Sequence, residues 1–128
     1  MADKKHKILI ADDNPHFSKA LKFMILDSFH DQVDTIQIVR SGEECLRELT
    51  ENMYDVVFMD INMPGKNGIE VTKEITQLYR NLIIIAVSFH SDMKYVIQMI
   101  EAGARTYIIK DEINKESLEK ALAIEYSF

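Results

Sequence analysis

Short apolar segments alternate with amphipathic stretches along the whole chain. The apolar segments are rich in Ile and Val, and most are continuous rather than alternating, which is typical of strands buried on both faces of a sheet. We therefore predict five strands, over residues 7–11, 35–39, 56–59, 82–87 and 106–109.

The stretches between these strands carry apolar residues at helical spacing. Start signals precede four of them: Asn14 with Pro15, the capping-box sequence Ser41-Gly42-Glu43-Glu44, Ser91 or Asp92, and Asn114 or Lys115. Gly103 is expected to end the fourth helix. The residues predicted to face inward are, helix by helix, Phe17, Leu21, Met24 and Ile25; Leu46, Leu49 and Met53; Val71, Ile75, Leu78 and Tyr79; Val96, Ile97 and Ile100; and Leu118, Ala121 and Leu122.

Five strand–helix units in succession predict an α/β fold, with a parallel sheet, helices on both faces and right-handed crossovers. The strand order 2-1-3-4-5 is one common solution for such a doubly wound sheet. Ligands of these folds lie beyond the carboxyl ends of the strands, where the winding direction reverses. In the order 2-1-3-4-5 that crevice lies between strands 1 and 3.

Length and composition agree with one globular domain over residues 1–128, because 47% of the residues are hydrophobic and 28% are charged. The formal net charge of -6 argues against direct contact with nucleic acid, and no apolar run is long enough to span a membrane. Cys45 is the only cysteine, so a reducing, cytoplasmic location is expected. The four histidines lack metal-ligand spacing and are expected to be solvated: His6, His16, His30 and His90.

Polar side chains follow four of the predicted strands. Asp12 and Asp13 follow strand 1, Asp60 follows strand 3, Ser88 follows strand 4 and Lys110 follows strand 5. Each of these residues alone is explained by a turn, a helix start or a solvated surface. Because the carboxyl ends of parallel strands share one edge of the sheet, their joint occurrence predicts a single site.

The physical chemistry of that set indicates phosphoryl transfer to a carboxylate. Neighbouring carboxylates repel one another, and Mg²⁺, which prefers carboxylate, water and phosphate oxygens, relieves the repulsion. A carboxylate can attack phosphorus once a metal and Lys110 neutralise the developing charge, and Ser88 can then hydrogen-bond a phosphoryl oxygen. The backbone carbonyl of Asn62 is expected to complete the magnesium shell.

Four motifs resemble the receiver domain of two-component response regulators, over essentially the whole chain. They are Ile-Leu-Ile-Ala-Asp-Asp-Asn-Pro at 8–15, Val-Val-Phe-Met-Asp-Ile-Asn-Met-Pro-Gly-Lys-Asn-Gly at 56–68, Ala-Val-Ser at 86–88 and Gly-Ala-Arg-Thr-Tyr-Ile-Ile-Lys at 103–110. The resemblance implies a flavodoxin-like (βα)5 fold. It also implies that Asp60 is the phosphoacceptor, that Asp12 and Asp13 bind Mg²⁺, that Lys110 contacts the phosphoryl group, and that Ser88 and Tyr107 are switch residues.

The resemblance further implies a phosphorylated histidine, on a sensor histidine kinase or a phosphotransfer protein, as the donor. The chain would catalyse only its own phosphorylation and dephosphorylation, and would not be an enzyme otherwise. Its signal would change the surface of helix 4, strand 5 and helix 5, with Tyr95 and Val96 as parts of that surface. Homodimerisation on activation and control of transcription are the expected consequences.

Two features depart from the commonest family pattern. Asp111 follows Lys110 where many receivers have proline, and this is similar to the receivers of LuxR/NarL-type regulators. Phe89 stands where a small residue commonly follows the switch serine, so its ring is expected to narrow access to the phosphoryl group. His90 occupies a position that tunes attack by water, with either sign of effect open.

Three alternatives compete with a receiver. A phosphatase of the haloacid dehalogenase class needs a second acid two residues after the nucleophile, where this chain has Asn62. A flavodoxin-like FMN carrier is disfavoured because Asp12 and Asp13 would repel its phosphate. A pseudo-receiver that never accepts phosphate would lack an acid or the lysine, and neither is missing here.

Overall fold

Five parallel strands alternate with five α-helices in the computed structural model of the chain, which describes residues 5–123. The strands are β1 His6–Ala11, β2 Val33–Val39, β3 Val56–Met59, β4 Ile83–Ser88 and β5 Thr106–Ile109. The helices are α1 Pro15–Phe29, α2 Gly42–Glu51, α3 Gly68–Leu78, α4 Met93–Ala102 and α5 Lys115–Ala123, with short 3₁₀ turns at His30–Gln32 and Lys110–Glu112. The sheet order β2-β1-β3-β4-β5 confirms the predicted fold class and strand order.

Two hydrophobic layers cover the sheet, one on each face. Alternate residues of the central strands point to opposite layers, so Ile8 and Ile10 of β1 face α1 and α5, whereas Leu9 and Ala11 face α2, α3 and α4. β1, β3 and β4 therefore need apolar side chains at successive positions, as their sequences have. β2 lies at the edge of the sheet and is partly exposed, so it is not continuously apolar.

The predicted polar residues precede the helix starts, but one predicted capping hydrogen bond does not form. The Asn14 side-chain oxygen accepts hydrogen bonds from the backbone N–H groups of His16 and Phe17, and Pro15 opens α1 as predicted. Ser41 caps α2 by accepting from the Glu44 N–H. The predicted reciprocal bond is wrong, because the Glu44 carboxylate accepts from the Arg40 N–H instead, at 2.8 Å.

A reciprocal capping box does occur at α3, for which no start signal was predicted. Asn67 accepts from the Glu70 N–H, and the Glu70 carboxylate accepts from the Asn67 N–H. This cap fixes the start of α3 directly after the loop that leaves β3.

Four of the residues predicted to face inward are exposed instead. Met53 lies beyond the end of α2, and Leu78 is the last residue of α3, so neither reaches the core. In α4 the buried side chains are Met99 and Ala102, whereas Ile97 and Ile100 are 48% and 45% exposed. α4 is apolar on several faces, so its periodicity alone does not define the face that packs on the sheet.

Two strands begin earlier than predicted and one ends later. β1 starts at His6 and β2 at Val33, and β4 includes Ser88 as its last residue. His6 is buried, so the expectation that it is solvated is wrong. Gly103 ends α4 as predicted, with a positive φ of 124° and an N–H that donates to the carbonyls of Met99 and Ile100. Among the helices of residues 5–123, none has the length and apolar character needed to cross a bilayer.

Candidate functional site

The carboxyl ends of β1 and β3 hold the two buried acids of the site. The Asp12 N–H donates to the Val39 carbonyl at 3.0 Å, and the Asp60 N–H donates to the Ala11 carbonyl at 2.9 Å. These bonds extend the ladder of the sheet by one residue past each strand. The backbone N–H groups of both aspartates are therefore paired with neighbouring strands of the sheet.

Three carboxylates converge at this edge, as the sequence predicts. Asp12, Asp13 and Asp60 each offer one oxygen, and these three oxygens lie within 4.8 Å of one another. Asp12 and Asp60 are only 2% and 6% exposed, whereas Asp13 faces solvent. Backbone donors orient the buried pair, because Asp12 Oδ1 accepts from the Asn14 N–H and Asp60 Oδ1 accepts from the Ile61 N–H, each at 2.8 Å.

Lys110 lies between the two buried acids. Its Nζ is 2.7 Å from Asp12 Oδ2 and 3.2 Å from Asp60 Oδ2, and its side chain is almost completely buried. One ammonium thus faces two buried carboxylates, which leaves an excess of negative charge in a region of low dielectric. Burial and the nearby Asp12 carboxylate raise the pKa of Asp60 to about 6, and Lys110 opposes that rise only in part.

The acidic trio fits a hard divalent cation. Its donors are all oxygens, they are close enough to share one ion, and the buried pair carries more negative charge than Lys110 balances. Mg²⁺ is the cation that such a small carboxylate set holds together with waters and phosphate oxygens. Asn62 follows in the loop two residues after Asp60, with an exposed side chain.

Two aromatic rings flank the ammonium of Lys110. Its Nζ lies over the Phe17 ring at 4.4 Å from the centroid and over the Phe89 ring at 4.9 Å. The rings meet edge to face, with 6.4 Å between their centroids. The helical spacing of Phe17 predicts only that it faces the core. Asp13 precedes α1 and is not helical, so no spacing rule in the sequence relates Phe17 to the site.

The predicted switch residues lie next to this centre and are linked through the backbone of His90. Ser88 is buried, and its Oγ accepts from the His90 N–H at 3.1 Å. The Tyr107 hydroxyl donates to the His90 carbonyl at 2.8 Å, and burial raises the pKa of that hydroxyl. One residue of the loop between β4 and α4 thus bonds to both switch side chains.

The His90 side chain extends the link on both sides. Its Nε2 is 2.9 Å from the Asn62 side-chain nitrogen, and its ring stacks on Tyr95 of α4 with 4.1 Å between centroids. The imidazole is therefore half-buried between two partners, and the expectation that it is simply solvated is wrong. No spacing rule relates residues 62, 90 and 95, so this cluster was not predictable from the sequence.

Comparison with known proteins agrees with this geometry. The family model described as response regulator receiver domain matches residues 8–123. A transcriptional regulatory protein of Bacillus subtilis, YhcZ, is 35% identical over 105 residues, which are 82% of this chain and 48% of that protein. The transcriptional regulatory protein DegU of Brevibacillus brevis is 29% identical over 122 residues, or 95% of this chain and 50% of that protein. The chain thus spans about half the length of these curated relatives.

Solved structures are similar over nearly the whole chain. A response regulator from Chloroflexus aurantiacus superimposes with a TM-score of 0.86 and 25% identity, covering 98% of this chain and all of that one. A two-component response regulator of the LuxR family from Aurantimonas superimposes with a TM-score of 0.82 and 26% identity, covering 96% of this chain and 86% of that one.

Proposed function

The chain belongs to the response regulator receiver domain family, and from this membership we propose that Asp60 accepts one phosphoryl group in a Mg²⁺-dependent reaction. The observation that carries the proposal is the position of Lys110, whose Nζ is 3.2 Å from Asp60 Oδ2 inside the acidic trio. The pseudo-receiver alternative is not favoured, because all three acids and the lysine are present and close together. The proposed receiver spans residues 1–128 as one domain.

The oxygen that attacks is the one beside the lysine. Asp60 Oδ1 accepts from the Ile61 N–H at 2.8 Å, whereas Oδ2 accepts a longer bond of 3.2 Å from Lys110, and we infer that Oδ2 forms the new bond to phosphorus. With a phosphohistidine donor, the phosphorus–nitrogen bond breaks and the imidazole nitrogen leaves with the electron pair. Asp12, Asp13, Asp60 and the Asn62 carbonyl would hold Mg²⁺, which would supply positive charge beside the transferring group. The product is an acyl phosphate on the chain itself, so the chain catalyses only its own phosphorylation and dephosphorylation.

Lys110 changes partners in this reaction. Before transfer its Nζ binds Asp12 Oδ2 at 2.7 Å, the same carboxylate that would hold magnesium. We infer that Lys110 leaves this carboxylate for an oxygen of the incoming phosphoryl group, so that Asp12 would be available to a metal ion during transfer. The ammonium thus offsets part of the negative charge of the two buried acids while no cation is bound.

The signal leaves the site through His90. A phosphoryl oxygen attracts the Ser88 hydroxyl, and that movement breaks the bond from the His90 N–H to Ser88 Oγ. Because the His90 carbonyl holds Tyr107 and its ring stacks on Tyr95, the loop, β5 and α4 respond together. The altered surface is that of α4, β5 and α5, including Val96. A preference of a few kcal/mol for one packing is enough to shift the population.

Two side chains modulate access to the phosphoryl group. Phe89 is 54% exposed and covers Lys110, so we expect its ring to slow both small phosphodonors and the water that hydrolyses the product. His90 lies beside Asn62 at the same edge and contributes to the position of that water.

The partners follow from the family and its relatives. The donor is a sensor histidine kinase or a histidine phosphotransfer protein, and the output is transcription, as in the named regulators of which this chain spans about half. Homodimerisation on activation, a cytoplasmic location and the lack of direct contact with nucleic acid or membrane remain predictions.

Intact mass spectrometry after incubation with acetyl phosphate and Mg²⁺ tests the proposal. We expect one added phosphoryl group in the natural chain and in Asp31→Asn, an exposed control, and none in Asp60→Asn. An adduct that persists in Asp60→Asn contradicts the acceptor assignment. Equal phosphorylation in the presence of EDTA contradicts the role of magnesium.

A further inference from the structure

The ammonium of Lys110 has lost almost all contact with water. Its side chain is 2% exposed, and besides the Asp12 and Asp60 carboxylates its close neighbours include the faces of two phenyl rings. A buried cation is costly unless other groups replace its hydration. The face of an aromatic ring does so in part, because its negative quadrupole attracts a cation.

We propose that Phe17 is a positioning residue for phosphoryl transfer, which holds the Lys110 ammonium against the site through a cation–π contact. This inference rests on the proposed function of Asp60 and Lys110 and adds to it a side chain outside the acidic, lysine and switch positions. Phe17 does not touch the reacting atoms. It acts by limiting where the Lys110 Nζ can lie while that lysine exchanges Asp12 for a phosphoryl oxygen.

The backbone of Phe17 is fixed to the loop that carries the acids. Its N–H donates to Asn14 Oδ1 at 3.1 Å, and the Asn14 N–H in turn donates to Asp12 Oδ1 at 2.8 Å. The ring is half-buried against the hydrophobic layer beneath α1. Phe17 therefore offers a surface whose position relative to Asp12 is set by two consecutive hydrogen bonds.

Phe89 differs from Phe17 in both respects. It follows Ser88 directly, so its ring moves with the loop when the switch serine moves, and it is more than half exposed. Its centroid is also farther from the Lys110 Nζ, at 4.9 Å against 4.4 Å. The two rings thus differ in role: Phe17 positions the lysine, and the more exposed Phe89 limits access to it.

A pair of conservative variants separates this role from simple packing. Phe17→Leu keeps an apolar side chain but removes the π face, whereas Phe17→Tyr keeps both. We expect the initial rate of phosphorylation by acetyl phosphate and Mg²⁺ to fall roughly fivefold in Phe17→Leu, and to be largely retained in Phe17→Tyr. Phe23→Leu, an exposed position of the same helix, is the matched control and should leave the rate unchanged. Equal losses in the Leu and Tyr variants, or no loss in either, overturn the proposal.

A second measurement observes the contact without phosphorylation. Protons above a ring face resonate upfield, so the ε-methylene signal of Lys110, identified by its loss in Lys110→Arg, is expected upfield in the natural chain and in Phe17→Tyr. It should move toward the ordinary lysine position in Phe17→Leu. An unchanged Lys110 signal in Phe17→Leu overturns the proposal even if the rate falls. A moved signal in a chain that never takes up phosphate supports the contact and contradicts the proposed function instead.

Discussion

The interior of the sheet and the acids Asp12 and Asp60 at its carboxyl edge are both buried, but burial has opposite effects on folding in these two regions. Five successive residues show both regions, because Val56–Met59 of β3 are apolar and fully inside, whereas Asp60, directly after the strand, is an acid that is only 6% exposed. In the interior, removal from water stabilises the fold by about 1.5–3 kcal/mol for a large aliphatic side chain. At the edge, removal from water raises the pKa of Asp60 and so opposes folding at neutral pH.

This contrast places the unbalanced charge of the domain at the carboxyl edge of the sheet. The hydrophobic layers hold the strand ends in place, and the strand ends hold two carboxylates against one ammonium. Without a cation, the Asp12 and Asp60 carboxylates repel each other, and the burial of apolar side chains in the interior must outweigh the free-energy cost of that repulsion. A ligand that supplies positive charge, or a reaction that converts the carboxylate, is therefore expected to relieve this repulsion.

The largest expected effect breaks the interior. Ile25 of α1 is fully buried between the helix and the sheet, so Ile25→Ala should lower the free energy of unfolding by about 2–5 kcal/mol through lost burial and a residual cavity. Phe23→Ala on the same helix, 71% exposed, should change it by less than about 0.5 kcal/mol. Urea unfolding measures both. Similar losses in the two variants would contradict the assigned inner face of α1.

At the carboxyl edge, a substitution should raise the free energy of unfolding instead of lowering it. Without divalent cations, Asp60→Asn should raise the free energy of unfolding at pH 7 by about 1–3 kcal/mol, because the natural carboxyl has a pKa of about 6 against an ordinary value of 3.8. Between these two values the folded chain binds more protons than the unfolded chain, so natural stability falls as pH rises from about 4 to 6. The gain from Asp60→Asn should therefore appear over that range and disappear below it.

Unfolding curves at several pH values test this reversal, with Asp31→Asn as the exposed control. A gain that is independent of pH, or a loss of stability at pH 7, would mean that burial of the Asp60 carboxylate does not oppose folding.

Magnesium should offset the unfavourable charge at the carboxyl edge and so raise the free energy of unfolding. At a free concentration ten times its dissociation constant, Mg²⁺ should stabilise the natural chain by about 1.4 kcal/mol through binding to the folded state alone. Asp13 is exposed, so Asp13→Asn should leave metal-free stability nearly unchanged and remove most of this gain. Thermal unfolding with and without Mg²⁺, at constant ionic strength, measures it. An undiminished gain in Asp13→Asn would exclude that carboxylate as a ligand.

The smallest expected effect concerns the cover of the edge. Phe89→Ala should raise both the rate of phosphorylation by acetyl phosphate and the rate of hydrolysis of the adduct, by about two- to fivefold, because each rate depends on access of a small molecule. Phe23→Ala serves as the aromatic control away from the site. If Phe89→Ala leaves both rates unchanged, the ring does not limit access.

The sequence alone determined the order of elements and the membership of the acidic trio. Continuous Ile and Val runs identify strands buried on both faces. Once such a run is located, the residue at its carboxyl end is located as well. Because parallel strands end at one edge, Asp12, Asp60 and Lys110 were predicted to meet, and they do. These inferences needed only local periodicity and the direction of the strands.

Only the tertiary structure decided which other remote side chains meet around Asp12, Asp60 and Lys110. Phe17 and Phe89 come together on Lys110, His90 joins Asn62 to Tyr95, and α4 packs through Met99 rather than through Ile97. Periodicity records that a side chain is apolar, but the rotation of a helix on the sheet and the course of a loop depend on the packing of all neighbouring segments at once. The sequence therefore indicated the candidate reacting groups, and the fold determined which other side chains contact and cover them.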